Sequence, residues 1–253
     1  MSKTAFKHIV FVDKPKGKTS NDLVQLVKTK LCIKKAGHSG TLDTNSSGLM
    51  LITLDEATKA MPLFSNMRKE YEGIMKLHGD ISLKLLEEKQ KSFEGSIVQK
   101  PPVRSNVKRI EREREIYSFK IMGKSDRDVL FKVQCQAGTY IRKLIHDFGQ
   151  VLGCGAHMAE LRRTKINGFG IRMAKKPEDL NRDDMIKLED IVNSLNIKAV
   201  QIDAGSVKKV RNGIPIKDKE VPEGQITGIF HKENIIAIGK KTGDSIKIER
   251  VFK

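Results

Sequence analysis

The feature that most limits how this chain can fold is a near-continuous apolar run at residues 49–54, which reads Leu-Met-Leu-Ile-Thr-Leu. A short run without polar alternation predicts a buried strand. The segment before it, residues 37–43, reads Gly-His-Ser-Gly-Thr-Leu-Asp and has one apolar residue. That composition predicts a tight loop on a rigid scaffold, the kind of place where binding and catalytic groups lie. Asp43 is therefore a candidate reactive group, although a plain turn has the same composition.

Residue spacing elsewhere predicts a mixture of strands and helices. Short β-branched or alternating runs predict strands at residues 8–12, 69–79 and 131–135. Apolar stripes at helical spacing predict a helix capped by Ser20 and Asn21 and one at 140–149, and acidic residues in a first turn predict another at 55–64. From residue 197 onward, glycines punctuate short β-branched runs. We therefore predict two domains, residues 1–195 and a small β-rich module at 196–253.

The charge balance of the chain favours a polyanionic partner. Lys and Arg number 48 against 31 acidic residues, which gives a net charge of +17. Nucleic acid is the partner that such a balance favours through phosphate contacts. The alternative is a lysine-rich composition bias of the source organism, with the charges spread evenly over a solvated surface. The sequence has no apolar run of transmembrane length and no hydrophobic signal core, so we expect a cytoplasmic protein with no membrane partner. The three cysteines include no CxxC pair, which predicts free thiols and no zinc site.

Three further segments have the composition of functional sites: a phosphate-binding loop, a metal site and a basic loop. Gly17-Lys18-Thr19 follows a predicted strand, but a P-loop requires glycine where this chain has Val12. The adjacent His146-Asp147 could indicate a metal phosphohydrolase, but no other histidine stands at ligand spacing, and we predict no metal site. The proline-broken segment 99–109 either clamps a phosphate backbone or is a plain surface loop. Its basic residues are Lys100, Arg104, Lys108 and Arg109.

Five separate motifs occur in the order found in one enzyme family. They are Lys-Pro-x-Gly-x-Thr-Ser at 14–20, the 37–43 loop, Lys-x-Tyr at 69–71, Gly-Thr-Tyr-Ile-Arg at 138–142 and Leu-Arg-Arg-Thr at 161–164. In this the chain resembles the TruB-type RNA pseudouridine synthases. The wording of segments 101–109, 137–146 and 155–164 is most similar to the archaeal and eukaryotic dyskerin-like branch, which works in H/ACA guide particles.

The resemblance implies an α+β fold, with a mixed, largely antiparallel sheet, flanking helices and a shortened PUA-like C-terminal domain. It implies isomerisation of uridine to pseudouridine in RNA without metal or cofactor. The substrates would be rRNA, with the chain as catalytic subunit of an H/ACA guide particle, or the T-loop uridine of tRNA, or both. The implied partners are the substrate RNA, a guide RNA and small accessory proteins, in the cytoplasm of an archaeon. A non-catalytic RNA-binding scaffold is the alternative.

The resemblance also implies a role for each matching residue. Asp43 matches the catalytic carboxylate, and Arg142 matches its partner, whose guanidinium would favour the charged carboxylate and fix its orientation. Tyr71 matches the residue that stacks on the target base. Further substrate-binding positions are the pocket-wall residues Tyr140 and Leu161, and His38, which occupies or supports the space left by the extruded nucleotide. The basic loop matches a mobile segment that closes on RNA. Thr44 stands where the family has proline, which predicts a looser loop.

Overall fold

The computed structural model describes residues 6–101, 108, 110–195 and 197–252. Within these ranges, ten strands form one sheet and five form a second. The strands of the larger sheet are β1 (Lys7–Lys14), β2 (Ala36–His38), β3 (Ser47–Asp55), β4 (Lys69–Leu77), β5 (Gly95–Gln99), β6 (Arg112–Ser125), β7 (Asp128–Cys135), β8 (Ala156–Ile166), β9 (Phe169–Gly170) and β10 (Ile186–Lys187). Those of the smaller sheet are β11 (Val200–Gln201), β12 (Ile216–Lys217), β13 (Ile226–His231), β14 (Asn234–Thr242) and β15 (Ser245–Val251). The helices are α1 (Ser20–Leu31), α2 (Met61–Ser65), α3 (Leu83–Gln90), α4 (Ile141–Val151), α5 (Leu188–Ser194) and α6 (Ala204–Arg211).

The larger sheet is mixed, and its main strand order is β10-β1-β3-β8-β4-β7-β6-β5. Strand β2 adds to β3, and β9 adds to β8. The β3–β8 pair is parallel, whereas the neighbouring β1–β3 and β4–β8 pairs are antiparallel. The sheet and its flanking helices confirm the predicted α+β class.

The apolar run at 49–54 is buried because apolar groups cover both faces of β3. Met50 and Ile52 face a core formed with α1 and α4. Leu49 and Leu51 face a second core, to which α2, α5 and the smaller sheet contribute Phe64 and other side chains. Successive strand residues point to opposite faces, so a strand covered on both sides needs apolar residues throughout. The prediction of a buried strand is confirmed.

The smaller sheet, in the order β11-β13-β14-β15-β12, forms the predicted β-rich module. Phe230 and Ile238 from this sheet share a core cluster with Ile9 and Leu51 of the larger one. The proposed domain boundary at residue 196 lies outside the described residues and stays a prediction. Across the described part of the chain, no helix has the length and apolar content to cross a bilayer.

The start of α1 differs from the prediction. Thr19, rather than Ser20 or Asn21, is the N-cap, because Thr19 and Asp22 form a reciprocal capping box. The predicted helix at 55–64 is a 3-10 turn (Glu56–Ala60) followed by α2. The first residues of the predicted 37–43 loop belong to β2, which pairs with β3 and thereby anchors the loop to the sheet. Because Thr19 caps α1, the side chain of Ser20 is available for other contacts. Because β2 ends at His38, the segment after it can enter the site described next.

Candidate active site

A cavity of about 390 Å³ opens beside the loop that follows β2. It brings together segments far apart in the chain: the loop itself, β4, the start of α4, and β8. The predicted site residues that line it are Asp43, Tyr71, Tyr140, Arg142 and Leu161. His38 does not line the cavity but stands at the end of β2, one residue before the loop enters it. The structure thus places five of the six predicted residues in one site.

Asp43 and Arg142 form an ion pair at the rim of this cavity. The guanidinium Nη2 of Arg142 donates to Oδ2 of Asp43, across 99 positions of sequence. Both side chains are 53% exposed, so a substrate can reach them. Within the described part of the chain, Oδ1 of Asp43 has no hydrogen bond. Arg142 therefore orients the carboxylate and leaves one oxygen available for chemistry.

The residue before Asp43 is held by Ser20. The Oγ of Ser20 accepts a hydrogen bond from the backbone N–H of Leu42 at 2.9 Å and donates to the carbonyl of Leu42 at 3.1 Å. Ser20 is 3% exposed, so these bonds are sheltered from water. Because Thr19 caps the helix, Ser20 at the first turn of α1 is free to hold the loop that carries Asp43.

The residue after Asp43 is held from a different segment. The carbonyl of Thr44 accepts from the backbone N–H of Gly17 at 2.8 Å and, at 3.4 Å, from the ammonium of Lys14. Lys14 is fully buried and also donates to the carbonyls of Pro15 and Lys18. These contacts hold the backbone after Asp43 at Thr44, the position for which the resemblance predicts a looser loop. The segment at 14–20 therefore supports the backbone beside Asp43, which is a different role from that of a phosphate-binding loop.

We expect Ser20→Ala to destabilise the protein by about 1–3 kcal/mol, since it leaves a buried N–H and C=O of Leu42 without partners. It should also slow catalysis, because the loop would no longer hold Asp43 in one position. Urea denaturation and single-turnover rates measure the two effects. Ser92→Ala is the matched control, since the exposed hydroxyl of Ser92 donates, among the described residues, only to the carbonyl of Lys89 three positions earlier. Equal behaviour of the two variants would contradict the role given to Ser20.

Two buried cations line the deep end of the cavity, and sequence reasoning gave neither of them a role. Arg163 is 1% exposed; its Nε donates to the carbonyl of Leu49 at 2.7 Å and its Nη2 to that of Gly40 at 3.1 Å. Lys69 is 4% exposed and donates to the carbonyl of Ser65 at 2.9 Å. Burial, aided by the charge of Arg163, lowers the pKa of Lys69 to about 8. Both residues stand within quoted motifs, but only the fold shows that they enter the cavity.

Tyr71 and His38 are both influenced by Arg163. Tyr71 lies on β4 directly opposite Arg163 of β8 and is buried. Burial raises the pKa of the Tyr71 hydroxyl, and the charge of Arg163 opposes that rise. Burial and then Arg163 lower the pKa of His38, whose Nδ1 accepts from the backbone N–H of Gly40 at 3.3 Å. At neutral pH both side chains are therefore uncharged.

Gln99 is a third residue, after Lys69 and Arg163, whose function the sequence did not indicate. Its Oε1 accepts from the backbone N–H of Tyr140 at 2.9 Å, and its Nε2 donates to the carbonyl of Tyr140 at 3.2 Å. The Gln99 side chain is buried. Tyr140 is the N-cap of α4, and Arg142 is the second residue of that helix. Gln99 thus connects the end of β5, where the basic loop starts, to the cavity wall.

The basic loop is described only at its ends. Lys100 and Lys108 are exposed, as a segment that contacts RNA requires. Arg104 and Arg109 lie outside the described residues. The function of this loop stays a prediction.

Comparison with known proteins decides the family. Residues 28–141 match the profile described as the N-terminal domain of TruB family pseudouridylate synthase, and residues 142–209 match that of the tRNA pseudouridylate synthase B C-terminal domain. The chain belongs to the TruB family. The resemblance inferred from the motifs is confirmed, and so is the enzyme class, since this family comprises pseudouridylate synthases.

Archaeal members of the TruB family align over most of the chain. A probable tRNA pseudouridine synthase B of Archaeoglobus fulgidus is 37% identical over 98% of this chain and 82% of its own length. The protein of the same description from Pyrococcus horikoshii is 38% identical, over 95% of this chain and 72% of its own. That of Methanopyrus kandleri is 51% identical, but the alignment covers 64% of this chain and 48% of the relative.

Solved structures give the same result for the fold of this TruB family member. A crystal structure of a Cbf5-Nop10-Gar1 complex contains a chain that is 33% identical, with a TM-score of 0.86 over 98% of this chain and 85% of that one. A structure of an H/ACA RNP bound to a substrate RNA containing 2'-deoxyuridine matches with 31% identity and a TM-score of 0.82, over 98% and 85% of the two chains. The predicted similarity to the guide-dependent branch is confirmed.

Proposed function

We propose that this chain isomerises uridine to pseudouridine in RNA. The substrate is rRNA, with the chain as the catalytic subunit of an H/ACA guide particle, or the T-loop uridine of tRNA, or both. The observation that carries the proposal is the Asp43–Arg142 pair at the rim of a cavity lined by Tyr71 and Leu161. A net charge of +17 provides the attraction for RNA. The names of the archaeal relatives and the H/ACA structures support the same substrates.

The residues divide the reaction among them. The target uridine leaves its stack and enters the cavity, at a cost of a few kcal/mol that stacking on Tyr71 and phosphate contacts offset. Asp43, oriented by Arg142, then acts at the ribose, as a nucleophile at C1′ or as a base that removes a ribose proton. The C1′–N1 bond breaks, the uracil turns, and C5 bonds to C1′. Tyr140 and Leu161 form the walls that keep the base in place, and His38 supports the position it left.

The likeness to Cbf5 in complexes with Nop10 and Gar1 supports small accessory proteins as partners of this chain, together with a guide RNA. We assign RNA contacts to the loop containing Lys100, Arg104, Lys108 and Arg109 and to the module at 196–253. The archaeal relatives support an archaeal source and the cytoplasm as the place of action.

A reconstitution tests which RNA is the substrate. The purified chain is mixed with C5-tritiated tRNA transcript alone, or with guide RNA and tritiated target rRNA, each with and without accessory proteins. Release of tritium, which accompanies bond formation at C5, is expected from at least one combination. Release from tRNA alone would define a stand-alone enzyme, and release only with guide RNA a particle subunit. Tight RNA binding without tritium release in every combination would instead indicate a non-catalytic scaffold.

A further inference from the structure

Among the described residues, the two cations at the deep end of the cavity have no acidic partner. Lys69 and Arg163 each donate hydrogen bonds to backbone carbonyls, and neither takes part in an ion pair within the described ranges of the chain. Arg142, in contrast, is paired with Asp43 at the rim. The deep end of the cavity therefore carries positive charge that no described side chain neutralises.

An arrangement of this kind is costly without a ligand. Buried charges in proteins are normally paired, because removing an ion from water is unfavourable unless an opposite charge compensates. Here the like charge of Arg163 adds to burial in disfavouring the ammonium of Lys69. A bound anion would relieve both effects at once. The site is thus preorganised for negative charge, as catalytic sites are where charge develops during a reaction.

The exposure gradient of the cavity indicates which anion it receives. Asp43 and Arg142 at the rim are half exposed, whereas Lys69 and Arg163 are almost fully buried. A nucleotide extruded from RNA stays attached through its phosphates, so the base enters first and the phosphates remain near the rim. When the C1′–N1 bond breaks, its electron pair leaves with N1 and the negative charge spreads to O2 and O4 of the uracil. The group that meets the deep cations is therefore the base.

We propose that Lys69, together with Arg163, stabilises the uracil anion that forms when the C1′–N1 bond breaks. The inference rests on the proposed isomerisation and names the group that carries its charge. The electron pair of the broken bond goes to uracil. At the sugar, C1′ either bonds to an oxygen of Asp43 or forms a double bond to C2′ as Asp43 takes the C2′ proton. Formation of the C1′–C5 bond reverses that step, C5 loses its proton, and N1 gains one, so nothing is consumed.

The test changes two things: the residue at position 69, which supplies the cation, and the target base, which sets the stability of the uracil anion. RNA carrying a single target uridine, or 5-fluorouridine in its place, is converted under single-turnover conditions with excess enzyme. Fluorine withdraws electrons and stabilises the uracil anion, so the reaction depends less on outside help. Because 5-fluorouridine has no C5 proton to lose, its reaction is followed only to cleavage of the C1′–N1 bond and formation of the C1′–C5 bond. Consumption of the N1-linked target nucleoside therefore gives the rate for both bases.

Lys69→Met should slow conversion of uridine on the order of 100-fold, as loss of one preorganised donor does, and conversion of 5-fluorouridine by about 10-fold or less. Lys69→Arg, which keeps the charge, should restore most of the rate. Lys241→Met is the matched control, since Lys241 is 5% exposed and also donates to a backbone carbonyl, that of Asp218 just after β12, but does not line the cavity. Its ratio of the two rates should equal that of the wild type.

Equal slowing of both bases by Lys69→Met would overturn the proposal, as would a loss confined to salt-dependent RNA binding, which indicates a phosphate contact. If Lys69→Met does not fold, the pH profile decides. The wild-type rate should fall above about pH 8 as Lys69 loses its proton, whereas Lys69→Arg should not show this fall. The titratable and charged groups facing Lys69 are Arg163 and Cys135, and burial raises the pKa of the Cys135 thiol to about 12. Parallel pH profiles of the wild type and Lys69→Arg would also overturn the proposal.

Failure of the isomerase assignment is distinct, because the wild type would then form no pseudouridine.

Discussion

Asp43→Asn is expected to reduce pseudouridine formation by more than about 10³-fold, because positioned acid–base groups contribute roughly 10²–10⁴ and nucleophiles more. The amide keeps the size of the side chain but removes its charge, its basicity and most of its nucleophilicity. Single-turnover tritium release from C5-labelled RNA measures the rate. Binding of the same RNA and the urea midpoint should change little, since the side chain is half exposed at the rim of the cavity.

Asp128→Asn provides the matched control for this variant. Asp128 is also about half exposed, at 51%, and is paired with a cation, Lys76, at 3.3 Å, but it lies at the start of β7, away from the cavity. Its activity should stay close to that of the wild type, since exposed ion pairs contribute roughly 0–1 kcal/mol. If Asp43→Asn and Asp128→Asn retained similar activity, the chemistry would not depend on the Asp43 carboxylate.

Gly48→Ala should produce the largest loss of stability, about 3 kcal/mol or more. Gly48 has φ of +112°, which an L side chain rarely adopts. A Cβ at this position would lie 2.3 Å from the backbone oxygen of Arg163 and 2.6 Å from its nitrogen. Backbone strain and overpacking each cost about 1–3 kcal/mol. Because the contact is with backbone, the strand cannot yield without moving Arg163, so activity should fall as well.

Gly123→Ala tests whether the effect arises from the close approach of β3 and β8. Gly123 also lies in a strand, but a Cβ there would meet no atom within 4 Å, and its φ is not positive. The free energy of unfolding should stay within about 0.5 kcal/mol of the wild type. Urea denaturation with unchanged slopes compares the two variants. A small effect at Gly48 would mean that the β3–β8 contact is looser than the structure indicates.

The sequence indicated most strongly those parts whose physical cause is local. The buried strand at 49–54 was predictable because both of its faces need apolar residues, and α4 because its apolar stripe has helical period. Asp43, Tyr71 and Arg142 were found because five motifs occur in order, and the fold places all three around one cavity. Composition alone could not have distinguished the 37–43 loop from an ordinary turn.

The remaining features depend on contacts between distant segments. Ser20 reads as a helix cap by composition, and only the tertiary structure shows that it binds Leu42, 22 positions away. Lys69 and Arg163 resemble surface charge in a basic sequence, yet β4 and β8 are central strands that carry these side chains inward. Sequence reasoning usually assigns charged residues to the surface, and for this reason it did not indicate that Lys69 and Arg163 are buried.

Analysis of the nucleosides formed shows whether the Asp43 site isomerises uridine. RNA incubated with the wild-type chain, under the conditions that release tritium, is digested to nucleosides and separated by chromatography, which distinguishes pseudouridine from uridine despite their equal mass. We expect conversion of a defined uridine to pseudouridine in equal number to the tritium released, and none with Asp43→Asn. Tritium release without pseudouridine, or pseudouridine formed equally by Asp43→Asn, would contradict the assignment of isomerisation to this site.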